Sequence, residues 1–329
     1  MLKRLTLTCT LMAGSALAAP DPADVVAQVV LPAFDNFVQE ASGLDAAAQA
    51  HCNSDDAELR RAWGEAFDAW MRVSHLRFGP TEADDRAFAL AFWPDSRGVT
   101  PKTLQRLIAE ADPVVQDADA FAEVSVAARG FYAMEFLLYD DAFAAQGDYT
   151  CALTQAMTHD IAKIAQDIRA DWTNFAEEFD QTGGRYRNDA EALQELYKAV
   201  LGGLQFTSDV RLGRPMGDFD APRPARAEAR RSERSLRHVA LSLEGTRTLA
   251  LALAADHPEI AQSIEDAYAA AFAEIDAQDS PVFAGVTDPM GRFRVEVLQR
   301  AIDTIRYTIG TELGPKLGVV EGFNALDGD

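Results

Sequence analysis

Beyond residue 20, apolar side chains return at every third or fourth position in stretch after stretch. That period is the spacing of a helix face, and the alternating runs of strands joined by Asn-Gly turns are missing. The chain therefore reads as all-α, with helices over 22–50, 55–79, 101–117, 119–145, 150–180, 189–212, 224–255, 257–277 and 290–313. Ser54-Asp55-Asp56 offers a capping side chain and first-turn acids, and Thr100-Pro101 puts proline at a first helical position. Breaks fall at Trp93–Gly98, at Gly213–Asp218 and in the tail after Gly314. With 329 residues and 48% hydrophobic content the chain can bury a sizeable core. A division near residue 185, around Gln181-Thr182-Gly183-Gly184, yields two helical bundles of similar length, 19–185 and 186–329.

The opening MLKRLTLTCTLMAGSALAAPD has Lys3 and Arg4, an apolar stretch, and Ala16-Leu17-Ala18, the layout of a secretory signal cleaved after Ala18. Cys9 lies early in that stretch without small residues before it, which favours cleavage over lipid attachment. No later segment reaches the roughly 20 apolar residues of a spanning helix, so an exported protein is expected. Loss of Lys3 and Arg4 with the leader moves the net charge from -22 to about -24. Such an acidic chain is a poor partner for nucleic acid. Cys52 and Cys151 are the cysteines left, and an oxidising compartment favours pairing them; two separate thiols are the alternative.

One acid stands out. In GFYAMEFLLYDD, Gly130 to Asp141, Glu135 lies at the centre of an apolar helix face made by Val124, Ala128, Phe131, Tyr132, Leu138, Tyr139 and Ala142. A carboxylate held there must be paired, protonated or coordinated, because leaving it bare costs several kcal/mol. Tyr132 projects on the same side and offers a phenol as hydrogen-bond donor or oxygen ligand. The competing reading is a Tyr–Glu–Arg network that joins two helices. In ELRRAWGEAFDAWMRVSHLRFGP, Trp63, Phe67, Trp70, Ser74 and Phe78 share a face, with Arg77 beside them and His75 at the edge. Arg77 is thus a candidate counter-charge for Glu135, and the WPDSR loop adds Asp95 and Arg97.

In ARAEARRSERSLRH, residues 225–238, a helical reading gathers Arg226, Arg230, Arg234, Arg237 and His238 on one side. These arginines either pair with acids on neighbouring helices or form an anion site for a carboxylated ligand or acidic polymer, with Arg230, Arg234 and Arg237 at its centre. HExxH, GxSxG, a phosphate-binding glycine loop and a dinucleotide fingerprint are all missing, and the five histidines are scattered. Ordinary hydrolytic machinery is not visible.

ARGFYAMEFLLY, AWMRVSHLRFGP, FWPDSRG, DYTCALTQAM, RRSERSLRHVALSLEG and the terminal GFNALDGD together resemble the imelysin-like family, the peptidase M75 superfamily. That family's hallmark is Gly-x-His-x-x-Glu, and the matching positions here are Gly130, Tyr132 and Glu135, with tyrosine in place of the histidine. The resemblance implies two up-and-down helical bundles with the hallmark at their junction, a periplasmic location, free or membrane-associated, and a link to iron transport. Its cofactor expectation is a metal ion, iron before others, and its partner expectation a membrane iron-transport component. Losing the imidazole weakens a zinc peptidase, which wants nitrogen ligands. An oxygen-rich set of Tyr132, Glu135 and Asp95, with His75 as nitrogen donor and Arg77 and Arg97 as charge partners, suits a harder ion such as ferric iron. Three functions are compatible with these residues: a binding protein without catalysis, a metal-dependent peptidase, and a non-metal scaffold.

Overall fold

The computed structural model describes residues 19–143, 147–180 and 183–319. The leader 1–18, Gln181-Thr182 at the expected division and the terminal GFNALDGD lie outside the described residues. The architecture is all-α, and no strand occurs among the described residues. The longer helices are α1 Leu31–Ala50, α2 Ala57–Val73, α3 Val99–Glu110, α4 Gly130–Tyr139, α5 Asp148–Phe175, α6 Asp189–Gln205, α7 Ser235–Leu253, α8 Pro258–Asp276 and α9 Pro289–Thr308. Among the described residues, no helix is long and apolar enough to cross a membrane.

α1 packs on α2 and α5, and α4 packs on both α5 and α2, which makes one bundle. α6, α7, α8 and α9 pack on one another as the second, and the two meet where α2 lies against α7. Gly245 of α7 permits that contact: a Cβ on it would sit 2.0 Å from the Arg72 carbonyl oxygen of α2. The aromatic face read from α2 is its buried face, with Trp63, Phe67 and Trp70 all at or below 1% exposure. The Phe67 ring stacks on Phe131 at 4.5 Å between centroids, a contact that adds about 0.5–1.5 kcal/mol beyond burial.

Four expected helices differ from those observed, and the one expected over 101–117 ends at Glu110, where Ala111 takes a positive φ. The helix expected over 55–79 begins after Asp56, whose carboxylate accepts the N–H groups of Glu58 and Leu59, but stops at Val73. The turn that follows, with Leu76 N–H on Val73 and Arg77 N–H on His75, ends the helical register. The helix expected over 119–145 breaks into Ala118–Ala122, a 3-10 turn at Val126–Ala128 and α4, because Gly130 enters α4 with a φ of +73°. The helix expected over 224–255 starts only at Ser235. Residues 227–234 form turns whose polar groups bond across to other elements, and Ala229 and Glu233 take positive φ there.

Cys52 and Cys151 form a disulfide, with Cα atoms 5.0 Å apart. It fastens the loop after α1 to the start of α5 across a sequence separation of 99. Closing so long a loop removes conformational entropy from the unfolded chain. Replacing both cysteines by serine is expected to lower the unfolding free energy by about 2–4 kcal/mol, measured as an earlier urea midpoint with unchanged helical circular dichroism.

Candidate functional site

The site grows from the start of α4. A Cβ at residue 130 would lie 2.2 Å from the carbonyl oxygens of both Ala89 and Leu90, so only glycine lets α4 begin against the end of the short helix Arg86–Leu90. This docking presents Phe131, Tyr132 and Glu135 to α2 and to the turns of 227–234. Glu135 is 2% exposed. It is paired by neither Arg77 nor Arg97: it accepts the backbone N–H of Ser232 at 2.9 Å and the Ser232 hydroxyl at 2.8 Å, both on Oε1.

The Tyr–Glu–Arg network exists, but its acid is Glu228. Tyr132 donates its phenol proton to Glu228 Oε1. Arg211 Nε donates to Glu228 Oε2 at 2.8 Å, and His238 Nδ1 lies 3.4 Å from the same oxygen. Arg211 also donates to the Thr207 hydroxyl at 3.2 Å. Burial would raise the Glu228 pKa, yet the Arg211 charge, with His238 and the Tyr132 hydrogen bond, holds it down to about 2. Burial and the Glu228 charge push the Tyr132 phenol well above its ordinary value, so it stays protonated and donating.

A cavity of about 280 Å3 opens beside Glu135. Its walls include Trp93, Asp95, Tyr132 and Glu135 together with Arg214, Arg226 and Arg230. A second, more apolar cavity of about 530 Å3 is bounded by His75, Phe78, Phe88 and Phe206. Trp93, Pro94 and Tyr132 border both; the Trp93–Pro94 peptide bond is cis.

The expected site residues do not converge as one set. Tyr132, Glu135 and Asp95 share the first cavity, whereas His75 borders the second. Asp95 spends both oxygens capping α3, accepting Val99 N–H at 2.9 Å and Thr100 N–H at 2.8 Å. Those bonds outweigh its burial and hold its pKa below the usual carboxylate value. Arg77 pairs with Glu82 and covers the Phe88 ring, because α2 has ended and its register no longer turns residue 77 toward the core. Arg97 is exposed and does not line the cavity. Of the expected anion trio, Arg234 and Arg237 close on Asp68 of α2, with Arg237 Nε 2.9 Å from Oδ2, and only Arg230 reaches the cavity.

Glu228, Ser232, Arg211, Arg214 and Arg226 complete the site; of these only Arg226 was among the arginines read as a possible anion site, and the other four were not expected in these roles. The available signal was Glu228, an acid set among arginines in ARAEARR. Among the described residues no three His, Cys, Asp or Glu side chains converge as a metal site. With Asp95 capping a helix and Glu228 neutralised by Arg211, the donors present do not fit a resident metal cofactor.

A seam between two helical bundles, with a buried hallmark acid beside it, defines an imelysin-type helical protein. The chain belongs to the imelysin family, peptidase M75, whose profile matches residues 30–309. Iron-regulated protein A of Synechococcus elongatus is 24% identical over 318 residues, covering 88% of this chain and 84% of that protein. An imelysin-like protein of Psychrobacter arcticum shares the fold with a TM-score of 0.78 and 21% identity, over 93% of this chain and 99% of that one. A protein described as an iron-regulated protein A precursor from Parabacteroides distasonis does so with a TM-score of 0.69 and 14% identity, over 88% and 94%.

Changing Glu228→Gln leaves the buried Arg211 guanidinium without its counter-charge and is expected to cost about 3–5 kcal/mol of stability in chemical denaturation. A second test uses His75, whose burial lowers its pKa to about 4 even though the nearby Arg72 carbonyl acts the other way. The unfolded chain takes up that proton near 6.5 and the folded chain only near 4, so stability is full above 6.5 and falls as pH drops between the two. The loss attributable to His75 should approach about 3 kcal/mol and be missing from the same titration of His75→Gln.

Proposed function

We propose that this chain is an exported binding protein of iron acquisition, without catalysis, which holds its cargo in the cavity beside Glu135. The observation that carries the reading is Glu135 itself. It is buried, yet both of its hydrogen bonds fall on Oε1 while the residue lines a cavity, so Oε2 is available to a bound cation. The name of the Synechococcus relative, Iron-regulated protein A, supports the connection to iron. The exported setting rests on the leader layout of residues 1–18 and agrees with the disulfide. Transfer of the cargo to a membrane iron-transport component completes the proposed role.

The chemistry of the side chains favours binding over peptide hydrolysis. A zinc hydrolase wants about three protein ligands and an open coordination position. Here the hallmark imidazole is replaced by Tyr132, whose one proton is donated to Glu228. A scaffold without a ligand is the remaining reading, and the cavity with its unspent carboxylate oxygen argues against it.

Equilibrium dialysis with ferrous ion and with ferric citrate, on wild type and Glu135→Gln, tests the proposal. Wild type should retain about one iron per chain at micromolar concentration from at least one source, and Glu135→Gln should lose it by tenfold or more while keeping its melting transition. Retention of neither form by wild type would end the iron-binding reading.

A further inference from the structure

Arginine is scarce in surplus in this protein, which has 52 acidic residues against 30 lysines and arginines. Around the site most arginines are matched: Arg211 with Glu228, Arg231 with Asp140, Arg234 and Arg237 with Asp68. Arg214, Arg226 and Arg230 are not. All three line the first cavity, and among the described residues none of them forms a salt bridge, although Arg230 lies near enough to Asp140, the partner of Arg231, to act on its charge. Arg214 is half-buried, and its Nε is shielded from solvent without a hydrogen-bond partner. Its guanidinium lies 5.9 Å from the Trp93 ring centroid. Burial, with Arg226 close by as a like charge, lowers the Arg214 pKa. Two like charges gathered beside a low-dielectric wall are unfavourable unless an anion joins them.

The opposite sign is nearly spent. The carboxylates on the cavity walls are Asp95 and Glu135. Asp95 gives both oxygens to the start of α3, and Glu135 keeps only Oε2 uncommitted. One carboxylate oxygen is far short of the ligands an iron ion takes, and three arginines at its approach would repel a bare cation. An iron ion can enter such a place only with most of its ligands, and a compensating negative charge, already attached.

We infer that the cavity recognises a small polycarboxylate anion, gripped by Arg214, Arg226 and Arg230, and that iron arrives as the complex of that anion. This deepens the binding reading above and rests on it. The planar guanidinium fork matches a carboxylate through two parallel hydrogen bonds. The volume of about 280 Å3 lies at the small end of the range for small-molecule sites, suited to a compact anion and not to a peptide. The burial pattern agrees: Arg226 and Arg230 are exposed and face incoming charge, whereas Glu135 is buried, where the metal of a docked complex would meet Oε2.

The test is titration calorimetry of the full mature chain with citrate, ferric citrate, ferrous ion under anaerobic conditions, and inorganic phosphate, with Trp93 fluorescence as a second readout. Citrate and ferric citrate should bind at micromolar concentration, phosphate at least tenfold more weakly, and ferrous ion alone weakest. The double variant Arg226→Ala/Arg230→Ala changes exposed side chains, so its melting transition should be retained while citrate affinity falls at least tenfold. Glu135→Gln should weaken ferric citrate more than citrate alone. Tight ferrous binding that the double variant leaves unaltered would overturn the anion inference and leave the iron-binding reading standing. Phosphate binding as tight as citrate, or unchanged citrate affinity in the double variant, would also overturn it. Citrate binding without iron retention would sustain the anion site and remove iron as cargo, and binding of none of the four probes would sink both.

Discussion

The structure turns on one buried carboxylate. Glu228 is 1% exposed and is met by three other parts of the chain: it accepts hydrogen bonds from Tyr132 of α4 and from Arg211 in the π-helical continuation of α6, and His238 Nδ1 of α7 lies 3.4 Å away. A lone carboxylate in that interior would cost several kcal/mol and protonate instead. The Arg211 guanidinium keeps it charged, and the Tyr132 phenol is satisfied on its other oxygen. Because these partners come from both bundles, the acid sets how the halves meet and holds the segment 227–234 in its turns. Ser235 adds to the same anchoring by donating its hydroxyl to the Glu228 carbonyl oxygen.

That anchoring decides what the hallmark residues can do. The segment held by Glu228 delivers the Ser232 N–H and hydroxyl to Glu135, so the hallmark acid is satisfied without a cation on one oxygen only. Tyr132 is committed differently. A phenol has a single proton, and here it goes to Glu228, in a setting that opposes its loss. An imidazole in that position would keep a second nitrogen for other use; the phenol keeps only the lone pairs of the same oxygen. The tyrosine therefore acts as a wall and a strut between two cavities.

The helical character and both faces of α2 and α4 were legible because apolar period is a direct record of burial. Trp63, Phe67 and Trp70 behave as their spacing requires, and Glu135 is as buried as its neighbours predict. Extrapolation failed where a helix stopped. Arg77 and His75 were assigned positions by a register that ends at Val73, so Arg77 turns outward to Glu82 while His75 goes in. The stretch 224–234 misled for a different reason. Its Ala, Arg and Glu residues have good helix propensity, but that is worth only tenths of a kcal/mol per residue, less than the tertiary bonds made by Glu228, Ser232 and Arg234. Partners as distant in sequence as Tyr132 and Glu228, or Asp68 and Arg234, leave no periodic trace.

Net charge misleads in the same way if it is read as a uniform field. A chain at -22 looks hostile to anions, yet charges farther apart than about 10 Å are largely screened at 0.1 M salt. What a ligand meets inside the cavity is therefore set by the side chains on its walls. There Asp95 is spent on a helix start and Glu135 is half-spent on Ser232, whereas Arg214, Arg226 and Arg230 keep their charge. Low-dielectric surfaces such as Trp93 concentrate that local field. A compact anion of the proposed kind fits within the region lined by the arginines, whereas a large polyanion would also meet the rest of an acidic chain.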